Sequence, residues 1–247
     1  MKLALFGATG ATGRAILERA GRKGIAVHAL VRPQSTLGGE LPPTVSTIIG
    51  DLDSAEAIDR TLAGCDAACL VFGPRPPYTE IFCGDATERI MAGMRKHEMR
   101  RIVCQTGAMI GDYRRNRSRP FESAARLYRW RNPGPAADRV RQEVAVVGSN
   151  FDWTLIKPPR LTNARPSFRV EASAELRVGL LSSVARGDLA DLILSALLNN
   201  RFMNSAVFVR KGRWHMPVPA RHLAPPITLD ALNGLPEESQ ALGVTDP

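Results

Sequence analysis

The sequence predicts an α/β protein: one domain built on a doubly wound, mostly parallel sheet, with a proline-rich extension at the C-terminal end. Three observations carry this. Short apolar runs alternate with segments of helical periodicity along most of the chain, the pattern of strand–helix–strand units. The first apolar run leads directly into GATGATGR at residues 7–14, three glycines at a spacing of three. The chain has 247 residues, of which 44% are hydrophobic, enough for one large two-layered core.

The elements follow in order. Residues 3–6 form the first strand and 12–22 the first helix; 26–31 and 46–49 are the second and third strands. Residues 54–62 form a helix, with Asp53 or Ser54 as its cap. The run 67–72 is a fourth strand, ended by Gly73 and the prolines at 74, 76 and 77. Over 79–98 the residues Phe82, Ala86, Ile90 and Met94 recur every four positions, which puts one apolar stripe on a long helix. A fifth strand at 101–105, a helix at 138–147, a sixth strand at 153–156, a helix at 188–198 and a strand at 206–209 complete the pattern. Residues 1–215 are thus expected to form the domain. Beyond Trp214 prolines are frequent and periodicity is lost, so 216–247 reads as an extension able to reach a neighbouring subunit.

Bulk properties narrow the class. No apolar run approaches the roughly 18 residues of a membrane span, and no signal pattern opens the chain; a cytoplasmic protein is expected. Cys65, Cys69, Cys83 and Cys104 form no CxxC pair and have no histidines near them, which points to buried thiols and no metal. The net charge is +9, carried mostly by arginine with only five lysines. A nucleic-acid partner is not expected, because no recognised binding module accompanies the charge.

A glycine turn between strand and helix exposes backbone N–H groups at the positive end of the helix, where a pyrophosphate binds. Gly7 permits the turn, Gly10 leaves room for phosphates, and Gly13 lets helix and strand approach. Dinucleotide sites selective for NAD place an acid about 20 residues on, against the ribose 2′-hydroxyl. Here the second strand ends in Arg32, and the next acid is Glu40. A guanidinium pairs with a 2′-phosphate, so NADP(H) is the expected cofactor, with Arg14 assisting. Asp51, closing the third strand, either lines the adenine or caps a helix.

The motif GATGATG is similar to that of the extended and atypical short-chain dehydrogenase/reductases. With Leu30-Val-Arg32, Ile49-Gly-Asp-Leu52, Leu62-Ala-Gly-Cys-Asp-Ala67, Arg101-Ile-Val-Cys-Gln-Thr106, Leu155-Ile-Lys-Pro-Pro159 and Ala185-Arg-Gly-Asp-Leu-Ala190, it resembles the NAD(P)H-binding group that includes NmrA-like proteins and biliverdin-IXβ (flavin) reductase. The resemblance spans residues 2 to about 210. It implies a Rossmann-like sheet with NADP(H) across the carboxyl ends of its strands. The cofactor contacts it implies are Gly7, Thr9, Gly10, Ala11, Thr12, Gly13, Arg14, Arg32, Asp51, Leu52, Gly73, Thr106, Pro158 and Pro159.

Alcohol dehydrogenases of that superfamily pair a tyrosine with a lysine four residues later. Here Asn132 follows Tyr128 and Arg117 follows Tyr113 at that spacing, so the pair is missing. Thr106 and Tyr113 remain as candidate catalytic residues, with Thr106 either a hydrogen-bonding group near the nicotinamide or a plain strand-end residue. In biliverdin-IXβ-type reductases solvent supplies the proton, which implies that activity survives without the pair.

Between Tyr113 and Arg141 stand nine arginines and two acids. The segment 112–136 adds Phe121, Tyr128 and Trp130, which suits either a lid over a flat, anionic small molecule or a solvated loop or short helix. The expected function is an NADPH-dependent reductase of a small planar conjugated acceptor: a flavin, a quinone, a tetrapyrrole-like compound or a biosynthetic intermediate. A non-catalytic NADP(H) sensor and a nicotinamide-dependent epimerase or isomerase are the alternatives.

Overall fold

The structure, a computed structural model, describes residues 1–212 apart from 36, 39 and 76. The expected extension at 216–247 therefore lies outside the described residues.

The first strand, β1 (Lys2–Phe6), is fully interior from Leu3 onward because helices cover both faces of the sheet; a buried parallel strand therefore reads as an unbroken apolar run. It turns through the glycines into α1 (Ala11–Arg22) and is followed by β2 (Ala26–Val31), β3 (Val45–Ile49), α2 (Ala55–Leu62), β4 (Ala67–Leu70), α3 (Cys83–Lys96) and β5 (Arg101–Gln105). Then come α4 (Arg119–Arg131), α5 (Pro133–Val147), β6 (Asp152–Lys157), β7 (Arg160–Thr162), β8 (Val170–Ser173), β9 (Ser183–Ala185), α6 (Arg186–Leu198) and β10 (Ser205–Lys211).

The main sheet has the order β3-β2-β1-β4-β5-β6-β10-β8. Every neighbouring pair is parallel except β10 with β8. The protein is therefore a single Rossmann-like α/β domain. Its chain starts at β1 in mid-sheet and winds outward both ways, so the connections after β1 and β4 leave to opposite faces and open a crevice at the carboxyl edge. Alternate residues divide the core. Leu3, Leu5, Val103 and Ile156 pack under α1 and α6, whereas Ala4, Phe6, Cys104 and Leu155 pack under α2, α3 and α5.

Several boundaries differ from the sequence reading for local reasons. Ser54 is the cap of α2, accepting from the Ala57 N–H at 3.1 Å. The long helix begins only at Cys83 because Asp138 accepts the N–H groups of Phe82, Cys83 and Gly84 at 2.7–3.0 Å, a cap supplied from a distant helix. The helix expected from 138 begins at Pro133, a residue suited to a first helical position. Strands β7, β8 and β9 were not anticipated; each is short and takes its order from its neighbour. Among the described residues no helix is long and apolar enough to cross a membrane.

All four cysteines are buried free thiols. Burial pushes Cys65 and Cys83 up to about 11 and Cys104 up to about 12, and raises Cys69 further still. A thiol whose folded pKa is raised loses its stabilising contribution as pH climbs past the unfolded value near 9. Wild-type stability, read from urea melts, should fall between pH 9 and 10, with each thiol contributing about 1 kcal/mol. Cys104→Ala should show a fall shallower by that amount.

Candidate functional site

The glycine turn explains itself by distances. Gly7 has φ +94°, and a Cβ on it would sit 2.7 Å from the backbone nitrogen of Phe72. A Cβ on Gly13 would lie 2.3 Å from the Gly7 carbonyl oxygen and 2.7 Å from the Ala8 Cα. These two glycines let α1 and β4 close onto the turn. Gly10 differs, because its Cβ would meet only the Gly7 carbonyl at 3.3 Å; its bareness keeps the space in front open. Gly10 caps α1 without a side-chain hydrogen bond, and no acid stands in the first turn. The helix thus presents unspent N–H groups and positive potential, the chemistry that holds a phosphate.

In front of this turn lies a crevice of about 540 Å³. Gly7, Thr9, Gly10, Arg32, Asp51, Leu52 and Gly73 all line it, as do Phe72, Ile81 and Phe82 toward β4 and α3. Arg32 is exposed and has no acidic partner among the described residues. The other anticipated cofactor residues sit differently. Ala11 is the exposed first residue of α1, while Thr12 and Gly13 are buried behind the turn. Arg14 lines a separate cleft of about 640 Å³ between α1 and segment 37–42. Pro158 is buried and accepts the Ala108 N–H at 2.9 Å, so it ties two strand exits together; Pro159 is half-buried. Thr106 lies at the rim just after β5, 6% exposed.

Next to the crevice, α5 turns a row of polar side chains toward the strand ends. Arg139 donates to the Phe72 carbonyl at 2.9 Å, the Gln105 carbonyl at 3.0 Å and Gln142 Oε1 at 2.7 Å. Gln142 in turn donates to Thr87 at 2.8 Å. One turn further along, Glu143 pairs with Lys157, the last residue of β6, and both side chains are wholly buried. The ammonium also donates weakly to Thr106 Oγ1 at 3.5 Å and lies 4.1 Å from the centre of the Tyr113 ring. Burial lowers the Lys157 pKa to about 8, against the opposing pull of Glu143.

Tyr113 and Arg117, four residues apart, take separate partners. The Arg117 side chain is fully buried and holds the carbonyls of Ala108, Ile110 and Gly111 at 2.7–2.9 Å, with Glu122 at 2.8 Å. The Tyr113 hydroxyl and Glu143 Oε2 are buried without a hydrogen-bond partner. Burial first, then the neighbouring Glu143 carboxylate, raises the tyrosine pKa. A tyrosinate is therefore disfavoured at this position.

The arginine-rich segment is mostly helix, not loop. α4 is capped by Ser118, with a proline in its first turn. Arg129 joins Arg117 in internal work, donating to the Met109 carbonyl at 2.8 Å and Glu122 at 2.9 Å. Arg114, Arg115, Arg119, Arg126 and Arg131 stay exposed, beside an exposed Leu127 and Trp130. Tyr128 of α4 meets Tyr78 edge to face at 6.1 Å, which links α4 to the segment carrying Ile81.

A family model described as NAD(P)H-binding matches residues 7–200. The chain belongs to this NAD(P)H-binding family. Solved structures of similar fold include an anaerobilin reductase from Escherichia coli (16% identity, TM-score 0.71, covering 87% of this chain and 98% of that one). A short-chain dehydrogenase/reductase from Veillonella parvula in complex with NADP has 14% identity and TM-score 0.70, covering 89% of this chain and 99% of the other. An oxidoreductase from Lactococcus lactis has 18% identity and TM-score 0.68, covering 86% and 91%. At these identities the likeness is one of fold.

The crevice has features that suit a dinucleotide: an unblocked glycine, an uncapped helix start and a cation at the end of β2. Sequence reasoning missed Arg139, Glu143 and Lys157. The signal for the first two was a helix whose inward face reads Asp138, Arg139, Gln142, Glu143, polar residues where an apolar stripe belongs.

Gly13→Ala should abolish cofactor binding, followed by tryptophan fluorescence, and cost several kcal/mol in urea melts, since the Cβ meets backbone on both sides. Lys157→Met should cost about 3–5 kcal/mol by stranding a buried carboxylate, and adding Glu143→Leu should recover most of that loss.

Proposed function

We propose that this protein is an NADPH-dependent reductase that delivers hydride to a small, planar, conjugated acceptor in the cytoplasm. The observation that carries the reading is the composition of the crevice in front of the glycine turn: the turn and Arg32 at one end, Phe72, Ile81 and Phe82 at the other. Bound there, the reduced nicotinamide supplies the hydride. Thr9, Gly10 and the start of α1 would hold the pyrophosphate, and Asp51 with Leu52 would flank the adenine ribose. Arg32 would pair with a 2′-phosphate through charge-assisted hydrogen bonds. The Phe72 and Phe82 rings, 5.9 Å apart, offer an apolar wall that orients a flat acceptor and excludes water. The exposed arginines of α4 suit an acceptor carrying carboxylates or phosphates.

A second reading, a non-catalytic NADP(H) sensor, draws support from the missing tyrosine–lysine pair and from Trp130, 76% exposed. Loss of NADPH absorbance with purified protein, tested against FMN, a biliverdin and several quinones, separates the two. Turnover of any acceptor establishes the reductase. NADPH binding without turnover of any of them favours the sensor.

Arg32→Ser should raise the KM for NADPH about tenfold or more, the worth of a hydrogen-bonded charge pair. The KM for NADH should stay within about threefold, because NADH lacks the phosphate the arginine serves. An equal loss for both cofactors would sink the assignment.

A further inference from the structure

A buried lysine paired with a carboxylate sits behind the hydroxyl of Thr106. Resting on the reductase reading, we propose that Lys157 and Thr106 form a proton relay that serves the reduced acceptor, with Lys157 as the donor and Thr106 as the gate. Three features of the geometry support it.

First, Lys157 donates to Thr106 Oγ1 at 3.5 Å. That contact uses a lone pair of the hydroxyl and leaves its proton directed away from the lysine. Among the described residues the hydroxyl donates no hydrogen bond. Second, Thr106 follows Gln105, whose carbonyl Arg139 ties to the carbonyl of Phe72, a wall residue of the crevice. Thr106 thus follows the end of β5 at the carboxyl edge of the sheet, next to the strand end that walls the crevice. Third, Glu143 fixes the ammonium from behind, so the proton has one hydroxyl in front of it. The groups facing Lys157 are Glu143 and Arg139 from α5, Tyr113 and Arg117 from the segment after β5, Cys104 from β5 and the Phe208 ring 5.9 Å away on β10. The desolvated ammonium is an acid near its working pH, as general acid catalysis asks.

The step balances simply. The acceptor gains two electrons and a hydrogen as hydride, and one of its atoms becomes anionic. That atom takes the Thr106 hydroxyl proton while Oγ1 takes a proton from Lys157, leaving a neutral amine. Once product leaves, water in the crevice returns the proton by the same route.

Two readouts test the relay, one of them independent of turnover. In carbon-detected NMR the Lys157 side-chain signal, assigned by its loss in Lys157→Met/Glu143→Leu, should titrate near pH 8. Thr106→Val should shift that midpoint, and Thr106→Ser should restore it. With an accepted substrate, kcat should fall as pH rises through the same midpoint. Thr106→Val and the Lys157→Met/Glu143→Leu double variant should each lower kcat about tenfold or more and remove the alkaline limb; Thr106→Ser should return both. A lysine still protonated at pH 10, or a titration indifferent to Thr106→Val, overturns the relay; so does an alkaline limb that survives in the double variant. If no acceptor is turned over, the reductase reading has failed, and the titration alone decides whether lysine and threonine are coupled.

Discussion

The carboxyl ends of β4, β5 and β6 depend on one row of charges along α5. A parallel sheet leaves its last carbonyls facing the crevice with no further strand to satisfy them, and an unmade hydrogen bond there costs about 1–3 kcal/mol. Arg139 meets that need at Phe72 and Gln105, Asp138 meets the matching need at the start of α3, and Glu143 neutralises the lysine that ends β6. Because these bonds are directional, they fix where the wall of the crevice stands relative to the glycine turn. Apolar packing beneath the sheet could fill the same volume without fixing that edge.

The same row explains why the site can exist without a tyrosine–lysine pair. The segment after β5 is held from inside by Arg117, whose buried guanidinium takes three carbonyls and Glu122. The segment is thereby tied down from within, and Tyr113 packs edge-on against the Phe208 ring at 5.5 Å. Thr106 is left at the rim with the only ammonium wholly buried among the described residues behind it. Charge in this protein is therefore divided between exposed arginines on α4 and a buried polar set under the crevice.

Much of this was legible in the chain. The glycine spacing located the tight turn between β1 and α1, since only residues without Cβ tolerate contacts of 2.3–2.7 Å to backbone, and that constraint is written one residue at a time. Arg32 was legible because its place at a strand end follows from periodicity. The arginine-rich segment misled: counting charges treated Arg117 and Arg129 like their neighbours, although both are consumed by carbonyls close by. Burial cannot be read from residue type when a polar side chain satisfies backbone inside the fold.

What the sequence by itself determined is the alternating strand–helix order, the apolar strands of a sheet covered on both faces and the glycine turn, because each follows from local periodicity or local sterics. The tertiary structure alone decided that residues 104, 106, 113, 143 and 157 converge, that β8 runs against β10, and that α5 turns polar residues inward. Those outcomes join positions up to 67 residues apart, and they depend on which strand ends lie beside which helix. No local pattern carries that information, since the partners of a buried charge are chosen by proximity in space.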